Sequence, residues 1–312
     1  MNRKTFLSTV AASSLAPAGR PTPVKIIFDT DLESDVDDVG SVALLHALAD
    51  RGECEILAMG VSASQLACAP CLHALNTWFR RPQIPIGVVK GKSVPPRKSK
   101  YAAIVAEEFP HQLKSSADAS DAVTVYRAAL EKQRDQSVTM VSVGYLTNFR
   151  NLLVADGGMA LVRRKVKLWV CMGGTFPKGR EWNLHNDAEA AALAIANWPT
   201  PIVFSGFEIG KEVFTGARLS ETPAISPVRR AYELYNGLKN RESWDQTAVF
   251  FAVRGAGEFW TLSSSGTVRI APDGGNDWRD DANGTHRHLI KQFPPSEVAA
   301  RIEALMLHQP KP

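Results

Sequence analysis

Cysteine is scarce: four in 312 residues cannot frame a disulfide-stapled fold. No apolar run reaches the ~18 residues that a membrane span needs. Neither sign of charge dominates, with 36 Lys and Arg against 32 Asp and Glu. Part of the small excess is local. Arg3, Lys4 and Arg20 share the first twenty residues with no acid, and the remainder carries 33 basic against 32 acidic side chains. A near-neutral body gives no electrostatic ground for a nucleic-acid partner. What is present is ordinary for a globular chain: 45% hydrophobic and 22% charged residues, on a length that can bury a large core. Disorder and fibrous folds are thereby excluded.

The first residues have the layout of an export leader. Arg3-Lys4 precedes the mildly apolar stretch Ser8 to Ala16, and Ala16-Pro17-Ala18 matches a small-x-small cleavage site. Arg3-Lys4-Thr5-Phe6-Leu7 is also similar to a twin-arginine signal with Lys in the second place. Residues 1–22 are therefore expected to be a signal peptide, the protein to be periplasmic or secreted without stable membrane insertion, and residues 23–312 to form one domain.

That domain alternates strand and helix patterns. Strands are expected at Val24–Phe28, Glu55–Gly60, Ile84–Val89, Val138–Val143, Val166–Met172 and Ile202–Ser205. Helices are expected at Val39–Ala49, Ala69–Phe79, Asp121–Gln133, Asp187–Asn197 (capped by Asp187) and Gln246–Val253. Lys90 to Lys100 is basic and Pro-rich and reads as a surface loop. The region after Thr261 reads as short strands, a polar loop and a last helix. The alternation predicts an α/β fold, an open and mostly parallel sheet with helices on both faces and a Rossmann-like core. Ligands of such sheets sit beyond the C-terminal strand ends, here just after Phe28, Val143, Met172 and Ser205.

The most concentrated chemistry follows the first strand. Asp29, Asp31, Glu33, Asp35, Asp37 and Asp38 place six carboxylates in ten residues. Like charges so close are unfavourable unless a cation neutralises them, and hard oxygen ligands select Ca²⁺ or Mg²⁺. A solvated acidic loop that caps the next helix is the alternative. An EF-hand is excluded, because Gly at the sixth and Glu at the twelfth place are missing.

Phe28-Asp29-Thr30-Asp31 followed five residues later by Asp37-Asp38 resembles the signature of the inosine-uridine nucleoside hydrolase family, in the longer-loop form of a bacterial exported branch. Further segments agree in order. Val141 to Asn148 resembles the family's strand and Leu-Thr-Asn turn. Met172-Gly173-Gly174, Glu181-Trp182-Asn183 and Asp187 to Ala191 resemble its Met-Gly-Gly, Glu-Phe-Asn and Asp-Pro-Glu-Ala-Ala run. Trp244-Asp245-Gln246-Thr247-Ala248 resembles its late His-Asp-Pro-x-Ala segment, and Asn76-Thr77-Trp78 through Gly87 its helix–strand step. The resemblance covers roughly residues 24–290.

The resemblance implies a Ca²⁺-dependent hydrolase of the N-glycosidic bond of ribonucleosides. It implies Asp31, Asp38, Asp245 and the carbonyl of Val143 as metal ligands. Asp31 would also be the general base, taking a proton from water that attacks C1′ through an oxocarbenium-like state. Asp37, Glu181 and Asn183 would bind ribose hydroxyls, and Asp29 would orient the ligands from behind. The family also implies a homo-oligomer, a dimer or tetramer. One departure stands out: Trp244 replaces the His that often protonates the leaving base. Trp244 or Trp78 could stack on the base, and His185 and His73 are candidate acids.

Other readings compete. A non-catalytic nucleoside or diol binder, or a hydrolase of another ribosyl compound, would keep the same motifs. Asp29-Thr30-Asp31 also resembles the opening of a haloacid-dehalogenase-like phosphatase, but Glu33 stands at its fifth place. Gly87 to Ser93 is one residue too short for a phosphate-binding loop, and Pro95-Pro96 breaks the helix that must follow. Cys68-Ala-Pro-Cys71 has redox spacing, though packing in a helix explains it. Arg163 to Lys167 reads as a solvated edge. Trp260, Trp278 and the Asp273–Asp281 loop are open between the pocket mouth and packing.

Overall fold

The computed structural model describes residues 22–310. The leader expected at 1–22 lies outside the described residues except for its last position. The chain runs β1 (Val24–Thr30), α1 (Asp37–Asp50), β2 (Cys54–Val61), α2 (Cys68–Trp78), β3 (Ile86–Val88), α3 (Ala102–Glu108), β4 (Ser120–Asp121), α4 (Ala122–Glu131) and β5 (Val138–Ser142). It continues through α5 (Thr147–Val154), α6 (Gly158–Lys165), β6 (Val166–Met172), β7 (Lys178–Gly179), α7 (Trp182–Asn186), α8 (Ala188–Asn197), β8 (Ile202–Ser205) and α9 (Phe207–Gly210). Then come β9 (Phe214–Thr215), α10 (Pro227–Asn236), β10 (Arg241–Glu242), α11 (Trp244–Arg254), β11 (Trp260–Leu262), β12 (Gly266–Ile270), β13 (Asn276–Asp280), β14 (His286–Lys291) and α12 (Pro295–Met306).

Twelve strands form one mixed sheet, ordered β4-β3-β2-β1-β5-β6-β8-β14-β12-β13-β7, with β11 paired to β14. From β4 to β14 neighbours run parallel, whereas β14-β12, β12-β13 and β13-β7 are antiparallel. Ile26, Ile27 and Phe28 are fully buried, because a central parallel strand has helices on both faces. One face packs Leu44, Leu45 and Leu48 of α1 against α11 and α12. The other packs Tyr126, Phe149 and Trp169 beneath α4, α5 and α8. Chain order runs away from β1 on one side (β2, β3, β4) and from β5 on the other (β6, β8). The β1/β5 boundary is thus the topological switch point, where such sheets open a crevice beyond their strand ends.

All the expected strands and helices are present, with ends shifted by a few residues. Two details differ, and one open question is answered. Asp187 stands at the start of α8 but makes no cap there; its carboxylate accepts from Thr147 Oγ1 at 2.7 Å and so ties α5 to α8. Lys165 of the basic run is not solvated, because its ammonium folds back onto the Gln133 carbonyl at 2.7 Å and Asp135 at 2.8 Å. Trp260 is packing, buried among Phe250, Phe251 and Phe259. Cys68 and Cys71 are buried free thiols at the start of α2. No helix among the described residues is long and apolar enough to cross a membrane.

Candidate active site

Two helix N-termini meet at the switch point and carry the carboxylates. Asp37 and Asp38 are the first residues of α1, and Asp245 lies in the first turn of α11. Neither helix has a side-chain cap, so their free N–H groups and dipoles face the acids. The Asp245 N–H donates to Asp37 Oδ2 at 3.3 Å, which joins the two turns. Asp38 accepts from Thr30 Oγ1 and from the Leu32 N–H at 3.1 Å, which folds the loop after β1 back over the helix start. Oxygens of Asp37, Asp38 and Asp245 lie within 4.8 Å of one another, and all three side chains are buried.

Burial and mutual repulsion act together here. Burial pushes Asp37, Asp38 and Asp245 well above the ordinary carboxylate range, and neighbouring acids push further. Asp31 is raised to about 7, first by burial and then by Glu33. Arg241 is a cation that acts on Asp37, but Asp35 holds it in a two-pronged ion pair. The cluster therefore lacks a counter-charge of its own. An all-oxygen, buried donor set of this kind fits a hard divalent cation.

A cavity of about 500 Å³ opens above the cluster. Asp31, Asp37, Asp38, Val143, Glu181, Asn183, Trp244 and Asp245 all line it, so the fold gathers residues from four separate segments of sequence at one place. Within it Asp37 joins Asp38 and Asp245 in the tightest triad of oxygens, and Asp31 stands beside Asp38, 6% exposed. The Val143 carbonyl accepts from Asn183 Nδ2 at 3.0 Å, so Asn183 is bonded to the expected ligand, and one carbonyl lone pair remains. Glu181 caps α7, accepting from the Asn183 and Leu184 N–H groups at 2.8 and 3.1 Å. Asp29 does lie behind the cavity, accepting from Tyr126 OH and from Asn148 Nδ2 at 2.8 Å, while its Oδ1 has no partner.

Trp78 does not belong to this cavity. It lies at the end of α2, in a different cleft with Thr77 and Ile225. No histidine among the described residues lines the cavity either. His185 bonds the Asp273 carbonyl and Arg180, and His73 bonds Thr77, so neither candidate acid reaches it. Trp278 and the Asp273–Asp281 loop pack elsewhere, on Phe176 and Thr175. The mouth is instead built from groups that carry no periodic signal. Phe207 stacks on Trp244 with 5.3 Å between centroids. Tyr235 and Arg241 stand beside them, and Arg97 lies over Trp182 at 4.5 Å. Of these, Trp244 was expected at the site, and Phe207 stands just after β8, where ligands of such sheets sit.

An α/β sheet whose switch point holds a buried oxygen-only cluster under a cavity of nucleoside size defines a class: proteins that set a small ligand against a hard cation. Within it, the family model described as inosine-uridine preferring nucleoside hydrolase matches residues 26–300, and the chain belongs to that family. It is thus an N-glycosidase that hydrolyses ribonucleosides, of a metal-dependent family. No curated protein matches the sequence. Solved structures share the fold at low identity. The inosine-uridine preferring nucleoside hydrolase from Bacillus anthracis is 17% identical, with a TM-score of 0.70 over 91% of this chain and 99% of that one. An inosine-guanosine nucleoside hydrolase is 17% identical, with a TM-score of 0.71 over 92% and 99%. The type III effector XopQ, solved with adenosine diphosphate ribose, is 17% identical, with a TM-score of 0.68 over 92% and 93%.

Proposed function

We propose that the protein is a calcium-dependent nucleoside hydrolase, with one catalytic domain over residues 23–312. The observation that carries the reading is the buried cluster of Asp37, Asp38 and Asp245 without a cation of its own. These three, the Val143 carbonyl and Asp31 are the residues that would hold the ion. When bound, Ca²⁺ supplies charge neutralisation and Lewis acidity toward water and sugar hydroxyls. Asp31 takes a proton from the attacking water. Burial favours that role by lifting its affinity for protons, which a general base working near neutral pH needs. Asp37 accepts from a ribose hydroxyl. Glu181 and Asn183 shape the sugar site mainly through the Val143 turn and α7, which they hold. Trp244 and Phe207 offer stacked aromatic faces to the base.

The test is reducing-sugar release from a panel of ribonucleosides with added Ca²⁺, with Mg²⁺ and with EDTA. Turnover that needs Ca²⁺ is expected. Release that survives EDTA would overturn the metal assignment, and no release from any nucleoside would overturn the substrate. A second reading keeps the site and changes the ligand. XopQ was solved with adenosine diphosphate ribose, and an arginine at this mouth suits such a ribosyl compound, so adenosine diphosphate ribose belongs in the panel.

A further inference from the structure

Hydrolysis leaves one charge without an evident partner. When the bond from C1′ to the base nitrogen breaks, its electron pair goes to the base. A nearby acid can supply a proton, but no histidine lines the cavity among the described residues. Trp244 Nε1 is already committed to the Phe207 carbonyl at 2.8 Å. The carboxylates of the floor oppose the new charge rather than balance it. Two cationic side chains line the cavity, Arg97 and Arg241. Arg241 is neutralised by Asp35 and by Glu242, the latter at 2.7 Å.

Arg97 differs. Its guanidinium joins none of the ion pairs among the described residues; Nη2 donates to the neutral Asn186 Oδ1, and the buried Nε has no partner. The group lies over the ring of Trp182, a residue 51% exposed, so cation and aromatic face form one platform at the mouth. The position is imposed from below. Glu33 is fully buried and accepts the Arg97 main-chain N–H at 2.7 Å, while its other oxygen takes Tyr145 OH at 3.4 Å. Two otherwise unexplained features, the extra acid in the loop after β1 and the basic Pro-rich segment, thus meet at one hydrogen bond.

We infer that Arg97, lying over Trp182 at the mouth of the cavity and pinned there by Glu33, stabilises the negative charge of the departing base in place of a proton donor. The inference rests on the hydrolase reading above. The water oxygen bonds to C1′ and its proton goes to Asp31. The C1′–N pair leaves with the base, which departs as an anion beside the guanidinium and collects a proton from bulk water. Arg97 keeps its own protons throughout, as an arginine must. Glu33 is a positioning residue.

The experiment compares inosine with 4-nitrophenyl β-D-ribofuranoside, whose phenolate leaves without help, in the full chain with Ca²⁺. For Arg97→Met, the ratio of kcat on inosine to kcat on the nitrophenyl riboside is expected to fall on the order of 10²-fold, the loss typical of one charge-stabilising donor. Glu33→Ala should lower the same ratio, and Glu33→Gln, which keeps an acceptor for the Arg97 N–H, should restore it. Activity on the nitrophenyl riboside shows that each variant is folded. An unchanged ratio, or a loss confined to KM, overturns the inference and leaves the hydrolase reading intact. A wild-type protein inert toward both substrates overturns the hydrolase reading, and this inference with it.

Discussion

As the proposed general base, Asp31 must be basic while it sits among other buried acids, and one substitution separates those two properties. Asp31→Asn keeps the size of the side chain and removes both the proton acceptor and one buried negative charge. Turnover of any substrate nucleoside is expected to fall by about 10³-fold or more, within the range for a lost general base. Thermal stability should hold or rise, because fewer like charges are buried. Parallel reducing-sugar assays and circular-dichroism melts check both; a normal rate in a folded variant refutes the assignment. Asp31, Asp37, Asp38 and Asp245 were legible as residues because carboxylates stand where a strand ends or a helix begins. Arg97 was not, because its importance comes from a neighbour 85 positions later, Trp182, that no local pattern announces. Trp78 was misplaced for the converse reason: an aromatic at the end of a helix shows its type, but Trp78 ends α2 where the chain returns to the start of β3, away from the strand ends that hold the site.

Elements set how closely those residues can approach. β1 and β5 are adjacent and parallel, so the turns that leave them touch, and Gly144 follows the Val143 carbonyl at that contact. A Cβ on Gly144 would lie 2.5 Å from the Asp31 N, 2.6 Å from Ser62 Oγ and 2.9 Å from Asp31 Cβ. The first of these is main chain, which cannot swing aside as a side-chain tip can. Gly144→Ala is therefore expected to shift Asp31 and lower kcat by about 10²-fold, the cost of a misplacement near 1 Å. Steady-state kinetics on a variant whose fold is verified by circular dichroism measures it; unimpaired kcat would show that the loop after β1 adapts freely. At this scale the main strands were readable, since Val, Ile and Phe runs bounded by polar turns have few other uses. α10 was missed although Ser226 caps it and Pro227 opens it. β12, β13 and β14 were visible as short strands, but not their antiparallel attachment to the sheet, which depends on pairing far along the chain.

For the whole molecule, a balanced net charge conceals an uneven distribution. The mostly parallel sheet could be inferred from alternation; the switch point depends on strand order, and with it the burial of five acids (Asp29, Asp31, Asp37, Asp38 and Asp245) at one place. Without a cation, folding confines those acids away from water, at a cost that unfolding relieves. A ligand that binds only the folded cluster stabilises the whole domain by mass action, by about 4 kcal/mol at a thousandfold excess over its dissociation constant. For a domain of this length that corresponds to a rise in Tm on the order of 10 °C. The protein is accordingly expected to melt higher in millimolar Ca²⁺ than in EDTA. The gap should widen from pH 5 to pH 8, because cation and protons compete for the same oxygens. Asp245→Ala removes one carboxylate of the cluster and should shrink the gap, whereas Arg97→Met, at the mouth, should leave it unchanged. Calorimetry on wild type and both variants gives the three gaps. Equal melting temperatures with and without Ca²⁺ in the wild type would mean that these acids are held by protons and their own hydrogen bonds, and that the fold needs no ion to bury them.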